Sequence, residues 1–459
     1  MQHYHIIGDA PTDLLDFFAP LAQQPWAILL DSAGPIGKNN RFDVLAAEPV
    51  CTIEAKDGHT VLTDAQGSHH YQEHPLTVVK AALKCYFPTP APKLDLPFQG
   101  GALGYFGYDL GRYSEQIPDT ASKDLPLPDM AIGIYLWALV LDKEKQQLWY
   151  LDYRGDAEQN WSKLNNRLSQ YPPNSTPFAL TSDWQANMDK AGYQARFEQV
   201  HQHLLAGNCY QINLAQRFSA GYQGSEWQAY RKLRAANAAP FSAFMRLPEG
   251  CVLSISPERF LQLHGRKVET KPIKGTKPRH SNAKLDAEAA EALRNSPKDR
   301  AENVMIVDLL RNDLGRVAEP GSVRVPDLFA IESYPAVHHL VSTVSAELST
   351  GLDATDLLLA AFPGGSITGA PKISAMTIIE QLEPHRRSVY CGSIGYIDQS
   401  GDMDTNIAIR TLVACNGQLH CWAGGGIVAD SEADSEYQET LDKVHKILPT
   451  LKATAESQA

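Results

Sequence analysis

Lys274 lies in the run Lys271-Pro272-Ile273-Lys274-Gly275-Thr276-Lys277-Pro278-Arg279. A lysine at a strand end, followed by glycine and crowded by further cations, has the makings of an amine nucleophile. Neighbouring positive charge disfavours its ammonium form and lowers its pKa. Taken alone, such a lysine is far more often an exposed strand-end residue. Glu258 follows an apolar strand, Val252 to Ser256, and a helix-excluding proline. A carboxyl with an apolar approach has a raised pKa and can act as a general acid, although it could equally pair with Arg259 or cap a nearby amide.

Two segments supply carboxylates. Glu432 to Leu448 is the clearest helix: Tyr437, Leu441, Val444 and Leu448 fall on one stripe, and Glu436, Glu439 and Lys443 on another. Ala301 to Leu310 is apolar nearly all round, which predicts a buried helix, yet it carries Glu302 near its start. A buried carboxylate must be paired, hydrogen-bonded or on a metal. Glu302 and Glu439, arriving from separate helices, suit magnesium, which keeps several non-protein ligands. A Glu439–Lys443 ion pair on a solvated face, and pairing of Glu302 with Lys298 or Arg300, are the plainer readings.

Anion cradles complete the inventory. Phe362-Pro363-Gly364-Gly365-Ser366-Ile367-Thr368-Gly369-Ala370-Pro371-Lys372 is not a phosphate loop, because its lysine does not directly follow the last glycine. Its amides before a helix can still face a carboxylate. Gly424-Gly425-Gly426, at the end of a strand, can do the same. Arg410, on the face of a predicted Asp404 to Ala414 strand opposite Ile407 and Ile409, is a bidentate carboxylate clamp.

What must position these groups is a mixture of short strands and helices. Trp26 to Leu30, Val50 to Ala55 and Leu148 to Tyr153 read as strands, and the glycines of Gly100 to Tyr108 as a tightly packed strand or turn. Lys190 to Gly207 reads as a helix and Cys209 to Phe218 as a strand; Ser393 to Ile397, Asp404 to Ala414 and Gln418 to Trp422 form a meander turned by Asn416-Gly417. Loop formers at Tyr171-Pro172-Pro173-Asn174-Ser175 mark the best candidate boundary. The chain has 459 residues and a net charge of −12, which argues against a nucleic-acid partner. No apolar run is long enough to span a bilayer, and Met1 to Ala10 lacks a basic region followed by an apolar one. Seven scattered cysteines without a CxxC pair suit a reducing, cytoplasmic compartment. Cys415 and Cys421 can approach across a hairpin, but nothing marks a disulfide or zinc site.

Pro272 to Thr276, Asp308-Leu309-Leu310-Arg311-Asn312-Asp313, the Gly364 to Lys372 run and Gly424 to Val428 together resemble the chorismate-utilising enzymes, over nearly the whole chain. The resemblance implies an α+β fold, an α/β sandwich of two facing antiparallel sheets with helices packed outside. It implies an N-terminal region, 1–170, carrying a tryptophan pocket, and a chorismate-binding region, 171–459, interleaved in one globular unit. By the resemblance Lys274 is the nucleophile that attacks C2 of chorismate, and Glu258 the acid that protonates the departing C4 hydroxyl. Ammonia then adds at C4 and the lysine leaves, giving 4-amino-4-deoxychorismate for p-aminobenzoate and folate synthesis. Glu302 and Glu439 match the Mg2+ ligands, with Glu436 acting through water. Arg410, Lys443, Thr368 and the amides of Gly424, Gly425 and Gly426 match substrate-carboxylate contacts, and His339 lies near the ring.

Two positions discriminate within the family. Members that make anthranilate carry a small residue at Lys274, and members that hydrate chorismate carry a lysine at Gln211. Glutamine cannot take a proton from water, so direct hydration is disfavoured. Leu29 to Ser32, Arg41-Phe42-Asp43 and Ala239-Pro240-Phe241-Ser242 resemble a tryptophan pocket, with Ser32, Arg41, Phe42, Pro240 and Phe241 as its contacts. No cysteine sits in a nucleophile-elbow context, so ammonia is expected from a glutamine amidotransferase subunit. The alternatives are the anthranilate-forming branch and a non-catalytic tryptophan sensor.

Overall fold

The computed structural model describes residues 3–8, 10–34, 36–37, 39–89, 93–170, 176–334 and 337–452; the expected boundary at 171–175 lies outside the described residues. Among the described residues, 25 strands form two antiparallel sheets, one of 13 strands and one of 12. The expected α+β sandwich is what forms. Strand Trp137–Asp142 shows why: it is buried throughout, with Ala138 and Val140 packed between the sheets while Trp137, Leu139 and Leu141 face an outer layer with Phe18, Trp161 and Trp227. A strand covered on both faces has no polar alternation, so its sequence is one apolar run.

Each sheet draws one half from either part of the chain. In the larger sheet Ile28–Asp31 pairs with Phe241–Arg246, and in the smaller Gly101–Phe106 pairs with Ser393–Asp398. Gly101 makes the second junction possible, since a Cβ there would lie 2.4 Å from the Ile397 carbonyl oxygen. Asn416 and Gly417, at φ 50° and 71°, make the two-residue turn between Thr411–Cys415 and Gln418–Ile427. Across that hairpin Cys421 faces Leu412 rather than Cys415, and both thiols are free. Among the described residues no helix is long and apolar enough to cross a membrane.

Four expectations need correcting. The Asp404 to Ala414 strand is two strands: Met403–Asn406 belongs to the smaller sheet and Thr411–Cys415 to the larger. Asn406 stops the first by spending its amide on Ile394 N–H and the Phe241 carbonyl, and Arg410 turns the chain at φ 51°. The second failure is the helix around Glu302. It runs over Pro297–Gly315 and is not buried all round: Ile306, Val307 and Leu310 are inside, but Val304 is 41% exposed. Third, the strand expected over Gln418 to Trp422 runs on to Ile427, so that Gly424 to Gly426 form its end, inside the ladder. The C-terminal helix ends early, at Ala433–Val444, with Leu448 opening a separate short turn.

Candidate active site

Lys274 sits in strand Ile273–Pro278 at the outer edge of the smaller sheet. Pairing with Val337–Glu347 shifts between Ile273 and Thr276, so Lys274 and Gly275 form a bulge, the usual device for re-aiming a side chain. Gly275 is at φ +81°, and a Cβ there would lie 2.7 Å from Asp299 Oδ1 and 2.8 Å from Leu293 Cδ1. Only glycine fits both the backbone and the space. Asp299 opens the helix that carries Glu302, capped by the Ser296 hydroxyl. The close approach at Gly275 thus sets Lys274 against Glu302.

The Lys274 amine is enclosed and donates to the Ser366 carbonyl at 3.2 Å. Burial holds its pKa below the ordinary lysine value, opposed by Glu302 and Glu258 and assisted by Lys443. The flanking cations do not have the effect expected of them. Lys271 pairs with Glu332, Arg279 with Asp286 at 2.8 Å, and Lys277 is exposed. Lys271 lies before the strand and Arg279 beyond it, each drawn to a carboxylate of its own.

Glu258 is 6% exposed, and burial pushes its pKa up to about 7, against the opposing pull of Lys274, the Ser366 hydroxyl and the Ile273 amide. It does not pair with Arg259, which forks onto Asp404 at 2.9 and 3.0 Å. The Ser366 hydroxyl donates to Glu258 Oε1 at 3.2 Å. One residue, Ser366, therefore touches both the amine and the acid, and it was not among the residues singled out. Its only signal was a hydroxyl inside a glycine-rich run, where backbone carbonyl and side chain both face the site.

The cations and polar groups expected to meet substrate are not equally free. Arg410 is half-buried and makes no ion pair or side-chain hydrogen bond with another described residue; burial lowers its pKa and Glu258 opposes this. Lys443 donates to the Gly424 carbonyl at 2.7 Å and to Glu439 at 2.7 Å, which leaves one of its three N–H groups. Thr368 turns its hydroxyl into its own loop, onto the Gly364 carbonyl at 3.0 Å. His339 bonds Thr276 at 2.8 Å, and burial, reinforced by Arg410, pushes its pKa down to about 3, so its ring is neutral at pH 7. Gln211, 1% exposed, has no partner for Oε1 among the described residues, and its amide nitrogen would lie 2.0 Å from a Cβ on Gly426. Beyond Cys421 the glycine strand outruns its neighbour Thr411–Cys415, which leaves one backbone edge of Gly424 to Gly426 outside that pairing.

Glu302, Glu436 and Glu439 face one another from two helices. Burial raises the pKa of Glu302 and of Glu436, and the neighbouring carboxylates add to it. For Glu439 burial is outweighed by Lys443, and its carboxyl stays below the usual range. Lys298 stands 3.6 Å from Glu436 and 4.0 Å from Glu302, so the plainer lysine pairings form as well; Arg300 instead stacks over Phe329. Over Gly425 a Cβ would meet Glu436 Oε2 at 3.0 Å and Glu439 Oε1 at 3.2 Å, a cradle of hard oxygens that glycine keeps open. Among the described residues no three acidic, His or Cys side chains converge closely enough to hold a metal by themselves. That donor set fits Mg2+, which takes about one or two carboxylates and fills its shell with water or substrate oxygen. Gly425→Ala should raise the magnesium concentration for half-maximal activity about tenfold, as loss of supporting contacts does at other metal sites, read from magnesium titrations of initial rate.

A cavity of about 260 Å³ lies apart from Lys274 and is lined by Ser32, Arg41, Phe42, Pro240 and Phe241 together with residues of both sheets. Its charged walls are internally paired: Arg41 with Asp142 at 2.7 Å, Asp31 with Arg234 and Tyr230, Ser32 with Lys143 at 2.6 Å.

A family model of chorismate binding enzymes matches residues 27–449. The chain is 55% identical to "Aminodeoxychorismate synthase component 1" of Salmonella typhimurium over 95% of each chain. It is 52% identical to the protein of the same name from Escherichia coli, again over 95% of each. Among solved structures, anthranilate synthase component I from Streptococcus pneumoniae superposes with a TM-score of 0.79 at 32% identity, covering 90% of this chain and 93% of that one. The chain therefore belongs to the chorismate binding enzyme family.

Proposed function

We propose that this chain aminates chorismate at C4, giving 4-amino-4-deoxychorismate in p-aminobenzoate and folate synthesis, through a covalent adduct on Lys274. The observation that carries the reading is the Lys274–Ser366–Glu258 arrangement, an enclosed amine and a buried carboxyl held by one residue. Identity of 52 to 55% with proteins named aminodeoxychorismate synthase component 1 supports it. The neutral Lys274 amine attacks C2, and the C4–O bond breaks as Glu258 hands its proton to the departing hydroxyl, which leaves as water. Ammonia then attacks C4, and the C2–N bond breaks so that Lys274 leaves with its electron pair as a neutral amine. The new C4 ammonium returns a proton to Glu258. Atoms balance as chorismate plus ammonia to product plus water.

Arg410, the remaining Lys443 donor and the open edge of Gly424 to Gly426 hold the substrate carboxylates, the arginine by its fork geometry. Thr368 supports this through its loop, and neutral His339 packs beside the ring. Gln211 lacks a base's proton affinity, which keeps water from taking the place of the lysine. Glu302 and Glu439 would hold Mg2+, with Glu436 through water; when bound, the metal screens a substrate carboxylate and orients the ring. Ammonia comes from a glutamine amidotransferase subunit, the second component implied for proteins named component 1, and free ammonium substitutes for it in vitro. The seven free cysteines fit the cytoplasm.

Separation by HPLC of the products from chorismate, magnesium and ammonium tests the reading. 4-Amino-4-deoxychorismate is expected; anthranilate in its place would move the chain to the branch represented by the Streptococcus structure. The large cavity suits tryptophan: its volume of about 260 Å³ falls just below the ~300 Å³ at which pockets for larger ligands begin. Titration calorimetry should give a single saturable site for tryptophan, lost in Phe241→Asp; no heat at millimolar tryptophan would remove it.

A further inference from the structure

Arg387 is 1% exposed, and neither the reading of motifs nor the reaction above uses it. Four of its five N–H groups are engaged by groups that belong to the walls of the site. Nε donates to Glu383 Oε2 at 3.0 Å, and Nη2 to Glu383 Oε1 at 2.6 Å. Nη1 donates to the Ile367 carbonyl at 2.9 Å, and Nη2 also to the Asn213 carbonyl at 2.7 Å. Glu383 Oε1 in turn accepts the Ala215 amide at 2.9 Å. Ile367 is the residue after Ser366, and Asn213 and Ala215 lie on the strand that begins at Gln211 and pairs with Gly424 and Gly426. The Tyr108 ring closes one side of the guanidinium at 5.0 Å and Tyr390 lies at 5.7 Å.

The same segment reaches a third wall. Cys391 donates to the Ala408 carbonyl at 3.0 Å, and Ala408 to the Gly392 carbonyl at 2.9 Å, two residues before Arg410. A buried ion pair is weak evidence of stability, since apolar packing often serves as well. Nothing apolar could bind two carbonyls of separate segments and an amide at once, and a lysine lacks the planar fork.

We propose that the Arg387–Glu383 pair is the positioning device of the active site: it fixes the Ser366 to Thr368 turn against the Gln211 strand and so sets Ser366 between Lys274 and Glu258. Arg387 touches no substrate and acts through Ser366. The inference rests on the amination reading, but its test is separate, because the product of the unaltered enzyme judges that reading before any variant is made.

The test is a cycle of four proteins, unaltered, Arg387→Lys, Ser366→Ala and the double variant, each assayed for kcat and KM with chorismate and ammonium and for thermal unfolding. Arg387→Lys should lower kcat about 30- to 100-fold, the scale of an ångström of misplacement, with KM for chorismate changed less than about threefold. Ser366→Ala, costly alone, should cost almost nothing further in the Arg387→Lys background, because its contacts are already lost. A purely structural arginine gives losses that multiply and that follow the folded fraction. Multiplying losses, or a folded Arg387→Lys enzyme within about threefold of full turnover, overturn the proposal. If Arg387→Lys does not fold, Glu383→Gln replaces it in the cycle; it keeps an acceptor for the Ala215 amide while loosening the grip on Arg387. The same non-additivity with Ser366→Ala supports the proposal, and full turnover of Glu383→Gln refutes it.

Discussion

Lys274→Ala should lose at least ~10³-fold in kcat for 4-amino-4-deoxychorismate formation, the scale at which removal of a nucleophile registers. Alanine deletes the amine but also the cation that does most to keep the Glu258 pKa from rising above about 7. Two effects would then be mixed, loss of the nucleophile and a more basic acid. Lys274→Arg separates them, since the guanidinium keeps positive charge beside Glu258 but is never a neutral amine at working pH. Both variants should be equally slow. The unaltered enzyme, given chorismate and magnesium without ammonium, should show by mass spectrometry an adduct of chorismate less water on the peptide containing Lys274. Full turnover of Lys274→Ala, with no adduct in the unaltered enzyme, would falsify the covalent route and leave direct attack by ammonia.

Lys274 stands out in the sequence while its charge environment does not, and the difference is one of range. Its glycine neighbour and the carboxylates elsewhere are local or motif-borne, and the structure brings Glu258, Glu302 and Glu439 within electrostatic reach of Lys274. The cations on either side of it are its neighbours along the chain alone. Lys271 lies before the strand and Arg279 after it, each held by a carboxylate of its own, and only Lys277 shares the strand, past the bulge that follows Ile273. Burial lowers the amine pKa, and the cation that assists is Lys443, distant in sequence.

Arg410 shows the converse. Its neighbours Ile407 and Ile409 alternate as in a strand, and a continuous Asp404 to Ala414 strand was the natural reading. A chain that leaves one sheet and enters the other keeps the same alternation on both sides of the crossing, so periodicity cannot mark the break. What marks it is tertiary: the two hydrogen bonds of the Asn406 amide and the left-handed turn at Arg410. Ser366 and Arg387 were silent for the same reason. A serine among glycines and an arginine four residues after a glutamate each have a commoner surface explanation, and their partners lie on other elements. The sandwich itself was visible because apolar runs, turn glycines and the Asn416-Gly417 hairpin are local signals that the packing does not override.

The acid provides the second large effect, and its sign follows from counting protons on the pair. Reaction needs Lys274 neutral and Glu258 protonated, a state with one proton shared between them. The ion pair of ammonium and carboxylate holds the same single proton, so the two forms interconvert without exchange with solvent, and the pair titrates as a unit. At low pH the pair carries two protons and the amine cannot attack. With Glu258 at about 7, kcat/KM should rise through pH ~7 as the first proton leaves. It should fall again at the lysine's pKa, which burial places below the ordinary value, as the second is lost. Glu258→Gln keeps the shape and the hydrogen-bonding capacity but has no proton to give to the departing hydroxyl, so kcat should drop about 10³-fold, within the range of general acid catalysis. The limb near pH 7 should vanish with it. What remains is a rate that climbs with pH as Lys274 alone ionises. A Glu258→Gln profile that keeps its acid limb near 7 would assign that ionisation to another group, and with neutral His339 held near 3 the nearby histidine is not a candidate.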